Sequence, residues 1–152
     1  MKKSLLILAF VLVSVGAAAA QQVQPGPDMK EKSLYSRLGG YDALAAVTDD
    51  FLGRLEKSKI LGRFFTGVSD DSAIKLRQHV IDFLCMATGG PCKYGGRDMK
   101  VVHTGLEITE ADWDENVKLL KETLAKFNVP AKEQGEVLAA VSGLKKDIVE
   151  KK

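Results

Sequence analysis

Gly89-Gly90-Pro91 breaks the chain in its middle: glycine ends a helix readily and proline cannot continue one. Any fold must therefore put a helix before that stop and a turn after it. Before the stop, Ser72 to Thr88 repeats apolar residues at helical spacing: Leu76, Val80, Phe83, Leu84 and Ala87. After it comes a long loop around Gly89–Arg97, carrying Tyr94 and Arg97, and then a short helix with Met99, Val102 and His103. Loops of this size in compact domains are often functional.

The remaining segments are helical too, and no stretch after residue 33 alternates like a strand. Ser33 caps a short first helix that Gly39-Gly40 ends. From Asp42 to about Glu56 the stripe is Leu44, Val47, Phe51 and Leu55. Ser58 to Phe65 is a turn-like helix ending in Phe64-Phe65, and Gly67 to Asp71 is a loop. Thr109 and Asp112 resemble a capping box at the start of a helix running to about Phe127. After the turn Asn128-Val129-Pro130, a last helix spans Ala131 to about Val149, with Val137, Leu138, Val141, Leu144 and Ile148 apolar. The expected fold class is all-α, a small helical sandwich of four substantial helices and short helical pieces.

The first residues read as something other than fold. A cationic head at Lys2-Lys3, an apolar run from Leu5 to Val15 and Ala17–Ala20 make the three-part pattern of a secretory signal, 1–20, with cleavage after Ala20. The run is short of the roughly 20 residues a span needs, so no stable membrane span is expected in the mature chain. Retention as an anchor, with Ala17–Ala20 extending the run, is the alternative. Residues 21–32, with two prolines and no apolar period, read as a flexible tether, leaving 33–152 as one domain. The expected location is exported, periplasmic. Losing Lys2 and Lys3 takes the basic count from 22 to 20, against 20 acidic residues. A formally neutral chain offers no groove for nucleic acid.

The chain has two histidines, His79 and His103. His79 shares a helix face with Leu76 and Phe83. Periodicity alone makes it a core-edge histidine bonded to a backbone carbonyl, and His103 the polar edge of a short surface helix. Taken together they suggest more, because the stop and loop between them let one helix fold across from the other. A flat cofactor held between the two is liganded by one imidazole or both. Zinc competes for histidines but takes three or four protein ligands, and Cys85 lies far around the helix from His79. Cys85 and Cys92 form no Cys-x-x-Cys-His haem attachment motif. In an exported chain they either form a disulfide or remain one buried thiol and one loop thiol. No hydrolase constellation and no phosphate-binding glycine loop is present.

An ordered set of short motifs carries a resemblance. Ser33-Leu-Tyr-Ser-Arg-Leu-Gly39-Gly40, Asp49-Asp50-Phe51, Arg63-Phe64-Phe65-Thr-Gly67, Gly89-Gly90-Pro91, Tyr94-Gly-Gly-Arg97-Asp98-Met99 and His103-Thr-Gly-Leu106 resemble the group I truncated haemoglobins. The resemblance covers about residues 33–149. It implies a two-over-two globin sandwich holding haem b, with His103 matching the proximal iron ligand. Phe65 matches the phenylalanine packed on the haem face; Phe64, Tyr94 and Met99 match pocket-lining positions. Leu76, Val80 and Val102 join the expected lining, and Arg97 is the propionate partner, with Lys75 and Arg77 as alternatives. The family's occasional covalent haem link uses a histidine on the last helix. This chain has none there, so non-covalent haem is expected.

The far side of the pocket departs from the family's common pattern. Leu52 stands where a tyrosine is usual, Val80 where a glutamine is frequent, and Leu76 is apolar as well. Each lost charge-assisted hydrogen bond to bound O2 costs about 1.5–3 kcal/mol. At the upper end that is roughly a hundredfold in O2 dissociation. His79 is the remaining polar side chain there, and some members use a histidine at this position as a second iron ligand. The leading expectation is a globin that reversibly binds O2, CO or NO, more a gas binder than an enzyme. The alternatives are a bis-histidine electron carrier and a haem enzyme for NO, nitrite or peroxide. Any reductase is then a separate partner, since the chain has no flavin or nicotinamide domain.

Overall fold

The structure, a computed structural model, describes residues 32–151. The signal segment 1–20, and all but the last residue of the tether 21–32, lie outside the described residues.

Local capping chemistry positions each helix. Helix α1, Leu34–Arg37, starts at Ser33, whose side chain accepts from the Ser36 N–H. Helix α2, Gly40–Lys57, follows at once, its N-cap Gly39 at a φ of 99°. A 3-10 turn, Gly62–Phe65, carries the Phe-Phe pair. Helix α3, Asp70–Ala87, begins two residues before the expected start, because Ser69 accepts from the Ser72 N–H and acidic Asp70 and Asp71 suit the positive helix end. The five-residue α4, Met99–His103, is capped by Asp98. Helix α5, Glu110–Lys126, opens on the full capping box of Thr109 and Asp112.

The last helix is two helices, α6, Ala131–Ser142, and α7, Lys145–Ile148, rather than one run to Val149. The break falls at Gly143-Leu144, where Leu144 N–H bonds Val141 C=O and Asp147 N–H bonds Leu144 C=O, three residues back instead of four. Glycine holds a helix least well among residues that keep their N–H, and the break falls there although Leu144 and Lys145 beyond it are good helix formers. Among the described residues there is no strand; Thr109 and Lys151 form one isolated parallel bridge. No described helix is long and apolar enough to cross a membrane.

Helix α2 packs against α3 and α5, and α5 packs against α6. One core cluster joins Val47 of α2, Leu120 and Leu124 of α5 and Val137 of α6, with Leu34 and Leu38 of α1 against it. A second joins Leu55, Leu61 and Leu119, with Phe51, Leu52, Phe64 and Phe65 against it. Phe51 touches both and couples them. Ion pairs tie the layers at their edges: Arg37 to Glu133 and Glu136, Arg54 to Glu122, Lys126 to Asp50, and Arg77 to Asp49.

Helix α3 buries a different phase from the expected one. Ile81 and Cys85 are fully buried, whereas Leu76 is exposed and Val80 and Phe83 are half-buried. The helix is two-sided, with one stripe set into the core and a second left partly open.

Candidate cofactor site

The second cluster is the floor of a cavity of about 290 Å³. Leu55 comes from α2, Leu61, Phe64 and Phe65 from the 3-10 turn and its approach, and Trp113 and Asn116 from the first turns of α5. Leu76 of α3 stands in one wall; Val102, His103, Leu106 and Ile108 contribute another, with Ile148 of α7. The size is at the lower end for small-molecule sites, and the lining has their usual character, apolar with few polar groups.

Two polar groups matter most. His103 is half-buried at the end of α4, and its Nδ1 lies 2.7 Å from the Met99 carbonyl oxygen. A carbonyl only accepts, so Nδ1 carries the proton, and in that tautomer of the imidazole the lone pair lies on Nε2. This is how proteins orient an imidazole for a metal: one nitrogen is held by a carbonyl and the other is left as donor. The second group is Asp112, 2 % exposed. Its two oxygens take 2.7 Å bonds from an Arg63 guanidinium nitrogen, and Oδ2 also accepts from Thr109 N–H at 2.9 Å and Thr109 Oγ1 at 2.8 Å. Burial alone would push this carboxyl up. The Thr109 and Arg63 bonds outweigh it and hold the group below its ordinary value. Asp112 thus pins the turn carrying Phe64 and Phe65 to α5, and the Arg63 guanidinium lies 4.3 Å from the Phe64 ring centroid.

The loop after Gly90 forms a second assembly. Cys85 and Cys92 are joined by a disulfide that ties this loop to the end of α3. Tyr94 stands edge-on to Phe83 at 5.4 Å and to His79 at 6.0 Å, and its hydroxyl donates to the Arg97 carbonyl at 2.8 Å. Gly96 makes this possible, since a Cβ there would sit 2.3 Å from the Tyr94 hydroxyl oxygen.

Of the residues singled out from sequence, Phe64, Phe65, Leu76, Val102 and His103 line the cavity together. Tyr94 and His79 meet each other outside that lining, and His79 is exposed rather than set at the core edge; Val80 and Met99 are half-buried, and Arg97 is exposed. Arg77, weighed as a propionate partner, is instead paired with Asp49, with one bond at 2.9 Å. Sequence reasoning passed over Leu61, Ile108, Asn116 and Trp113 as lining. The one available signal was the sole tryptophan of the chain, placed in the first turn after the capping threonine and close behind His103. Among the described residues no group of three or more His, Cys, Asp or Glu is arranged to hold a metal ion. One well-oriented imidazole in an apolar slot with phenylalanine and tryptophan walls fits a haem, whose own ring supplies the other iron ligands.

Comparison with known proteins gives the family and the fold. Residues 33–150 match the family described as Bacterial-like globin. The group 1 truncated hemoglobin GlbN of Mycolicibacterium paratuberculosis (strain ATCC BAA-968 / K-10) is 34% identical over 116 residues, 76% of this chain and 83% of the relative. That of Nostoc sp. (strain MUN 8820) is 34% identical over 119 residues, 78% of this chain and 98% of the relative. Among solved structures, the 2/2 hemoglobin of Synechococcus sp. PCC 7002, in the cyanomet state and with covalently attached heme, superimposes with a TM-score of 0.71. It is 28% identical, over 78% of this chain and 98% of that one. The Fe(III) form of the Tetrahymena pyriformis truncated hemoglobin gives a TM-score of 0.71 at 25% identity, with the same coverage.

Proposed function

The chain belongs to the bacterial-like globin family, and from that premise we propose that it holds haem b in the Leu55–Trp113 cavity and reversibly binds a diatomic gas, O2, CO or NO, at the iron. The observation that carries this reading is the His103 ring, fixed by its Nδ1–H bond to the Met99 carbonyl with Nε2 left as a donor beside an apolar slot. Haem, when bound, supplies the iron centre at which a gas coordinates.

The protein's part is to bind, orient and exclude. His103 is the proximal ligand. Phe64, Phe65, Leu55 and Leu61 form an apolar seat; Leu76 lines the cavity and Leu52 packs on its floor, and with Val80, which the family resemblance puts on the same side, they make the gas side poor in donors. A donor-poor wall does little to stabilise a polar gas complex, which favours CO and NO relative to O2. His79 rests against Tyr94 and outside the cavity lining, which supports a pocket open to gas. Haem is held non-covalently, because the chain has no histidine besides His79 and His103. The chain acts outside the cytoplasm, in the periplasm; the signal-like pattern at 1–20 and the Cys85–Cys92 disulfide support that. Any electrons come from a separate reductase.

The test is the visible absorption spectrum of the haem-reconstituted chain, reduced with dithionite, before and after CO. A broad high-spin band converted fully by CO is the expected result. Sharp split bands would put His79 at the sixth site, and they should vanish in His79→Ala. A ferric spectrum unchanged by His79→Ala would rule that ligation out. Low-spin bands that resist CO would favour electron transfer.

A further inference from the structure

We infer that Glu150, at the far end of the chain, is a positioning residue for His103, and that its carboxylate holds the turn by which the proximal helix ends. Helix α4 has five residues, too few to be stable alone, so its orientation is set by what grips its two ends. Asp98 grips the first, with its Oδ1 accepting from Lys100 N–H at 2.9 Å. At the other end the chain leaves His103 through two left-handed residues, Gly105 at φ 87° and Glu107 at φ 56°. The second is unfavourable for a non-glycine residue and persists only where its surroundings impose it.

Glu150 imposes it. Gly105 N–H donates to Oε1 of Glu150 at 2.8 Å and Glu107 N–H to Oε2 at 2.6 Å, so one carboxylate spans both sides of Leu106. The carboxylate is itself placed by backbone bonds: Glu150 N–H and Lys151 N–H both donate to the Ile108 carbonyl, at 2.9 and 3.1 Å. Lys151 pairs with Glu107 at 2.8 Å. Helix α7 packs on α4, and Ile148 of α7 and Leu106 of the turn both line the cavity. Charge-assisted bonds to two turn amides either side of one residue are stronger than neutral ones and fix direction as well as distance. The tail therefore sets how far and at what angle the His103 ring enters the slot.

This assignment rests on the reading of His103 as the iron ligand, and the experiment separates the two. In the haem-free full chain, amide hydrogen exchange is read at Gly105 and Glu107 in the unaltered protein, Glu150→Ala, Glu150→Gln and Lys151→Ala. In the reconstituted ferrous chain, the iron–histidine stretching band and the rate of haem loss are read for the same set. Glu150→Ala should speed exchange of both amides at least about tenfold. It should also shift or broaden the iron–histidine band and speed haem loss severalfold. Glu150→Gln keeps one acceptor oxygen and should release one amide, which keeps the test usable if alanine impairs folding. Lys151→Ala, which removes the pairing with Glu107 but neither amide bond to Glu150, should shift the band less than Glu150→Ala does. Unchanged exchange in Glu150→Ala would overturn the clamp. Faster exchange with an unmoved band and unchanged haem loss would overturn the positioning role. Failure of the unaltered chain to take up haem would sink the ligand reading, and the inference with it.

Discussion

Asp112 does two jobs at once, and replacing it should separate them. Its carboxylate completes the capping box of α5 and ties Arg63, hence the Phe64-Phe65 turn, to that helix. In Asp112→Ala, Thr109 Oγ1 still accepts from the backbone N–H of residue 112, so that half of the box survives. The Thr109 N–H loses its acceptor in a half-buried place, about 1 kcal/mol. The Arg63 guanidinium is about half exposed, so losing its pairing adds only about 0.5–1 kcal/mol. The total is about 1.5–2 kcal/mol. Asp112→Asn keeps an oxygen for Thr109 and loses only the charge, so it should cost about 1 kcal/mol. Urea unfolding of the haem-free chain at neutral pH measures both, with the slope checked for constancy. If alanine falls within about 0.5 kcal/mol of the unaltered chain, the carboxylate does not anchor the turn. If asparagine is as damaging as alanine, the Arg63 charge and not the cap dominates. Both variants should lose haem faster, because Phe64 and Phe65 are then less firmly seated.

Asp50 supplies a pH dependence. Bonds from Arg54 and Lys126 hold its carboxyl down to about 2, below its unfolded value, so its contribution is full above pH ~4 and is lost as pH falls toward 2. Unscreened, that shift is worth about 2.5 kcal/mol; with Lys126 largely exposed, about 1 kcal/mol should be lost, and Asp50→Asn should flatten the acid limb of a stability–pH curve. Reducing the Cys85–Cys92 bridge, which closes a short loop, should lower unfolding stability by about 2.5 kcal/mol and raise Tyr94 solvent exposure by fluorescence quenching. Leu52→Tyr restores a hydroxyl where the family commonly has one and should slow O2 dissociation by about 10–100-fold in stopped-flow. An unchanged rate would mean that position 52 does not face the gas.

The helices were legible where their ends are written in short-range chemistry: Ser33 and Thr109 at starts, and Gly89-Gly90-Pro91 at a stop. The Ser69 cap was hidden inside a segment with the composition of a loop. The Gly143 break was not, because a lone glycine inside an apolar stripe leaves the period intact. The phase of α3 was misjudged for a related reason. A helix facing the core with Ile81 and Cys85 and the cavity with Leu76 shows a blurred stripe, and periodicity averages the two faces. His103, Phe64 and Phe65 were visible through ordered motifs with the histidine in place. Trp113, Ile108 and the Glu150 carboxylate were not, since they reach the site from segments whose only relation to it is three-dimensional.

If His103 donates to haem iron, exchanging that donor must change the iron's ligation. Resonance Raman spectra of the reduced, reconstituted full chain should be compared with those of His103→Gly, with and without added imidazole. The unaltered chain should take up one haem, with an iron–histidine band that is lost in the glycine variant and returns with imidazole. A band that survives His103→Gly, or an unaltered chain that takes up no haem, would contradict it.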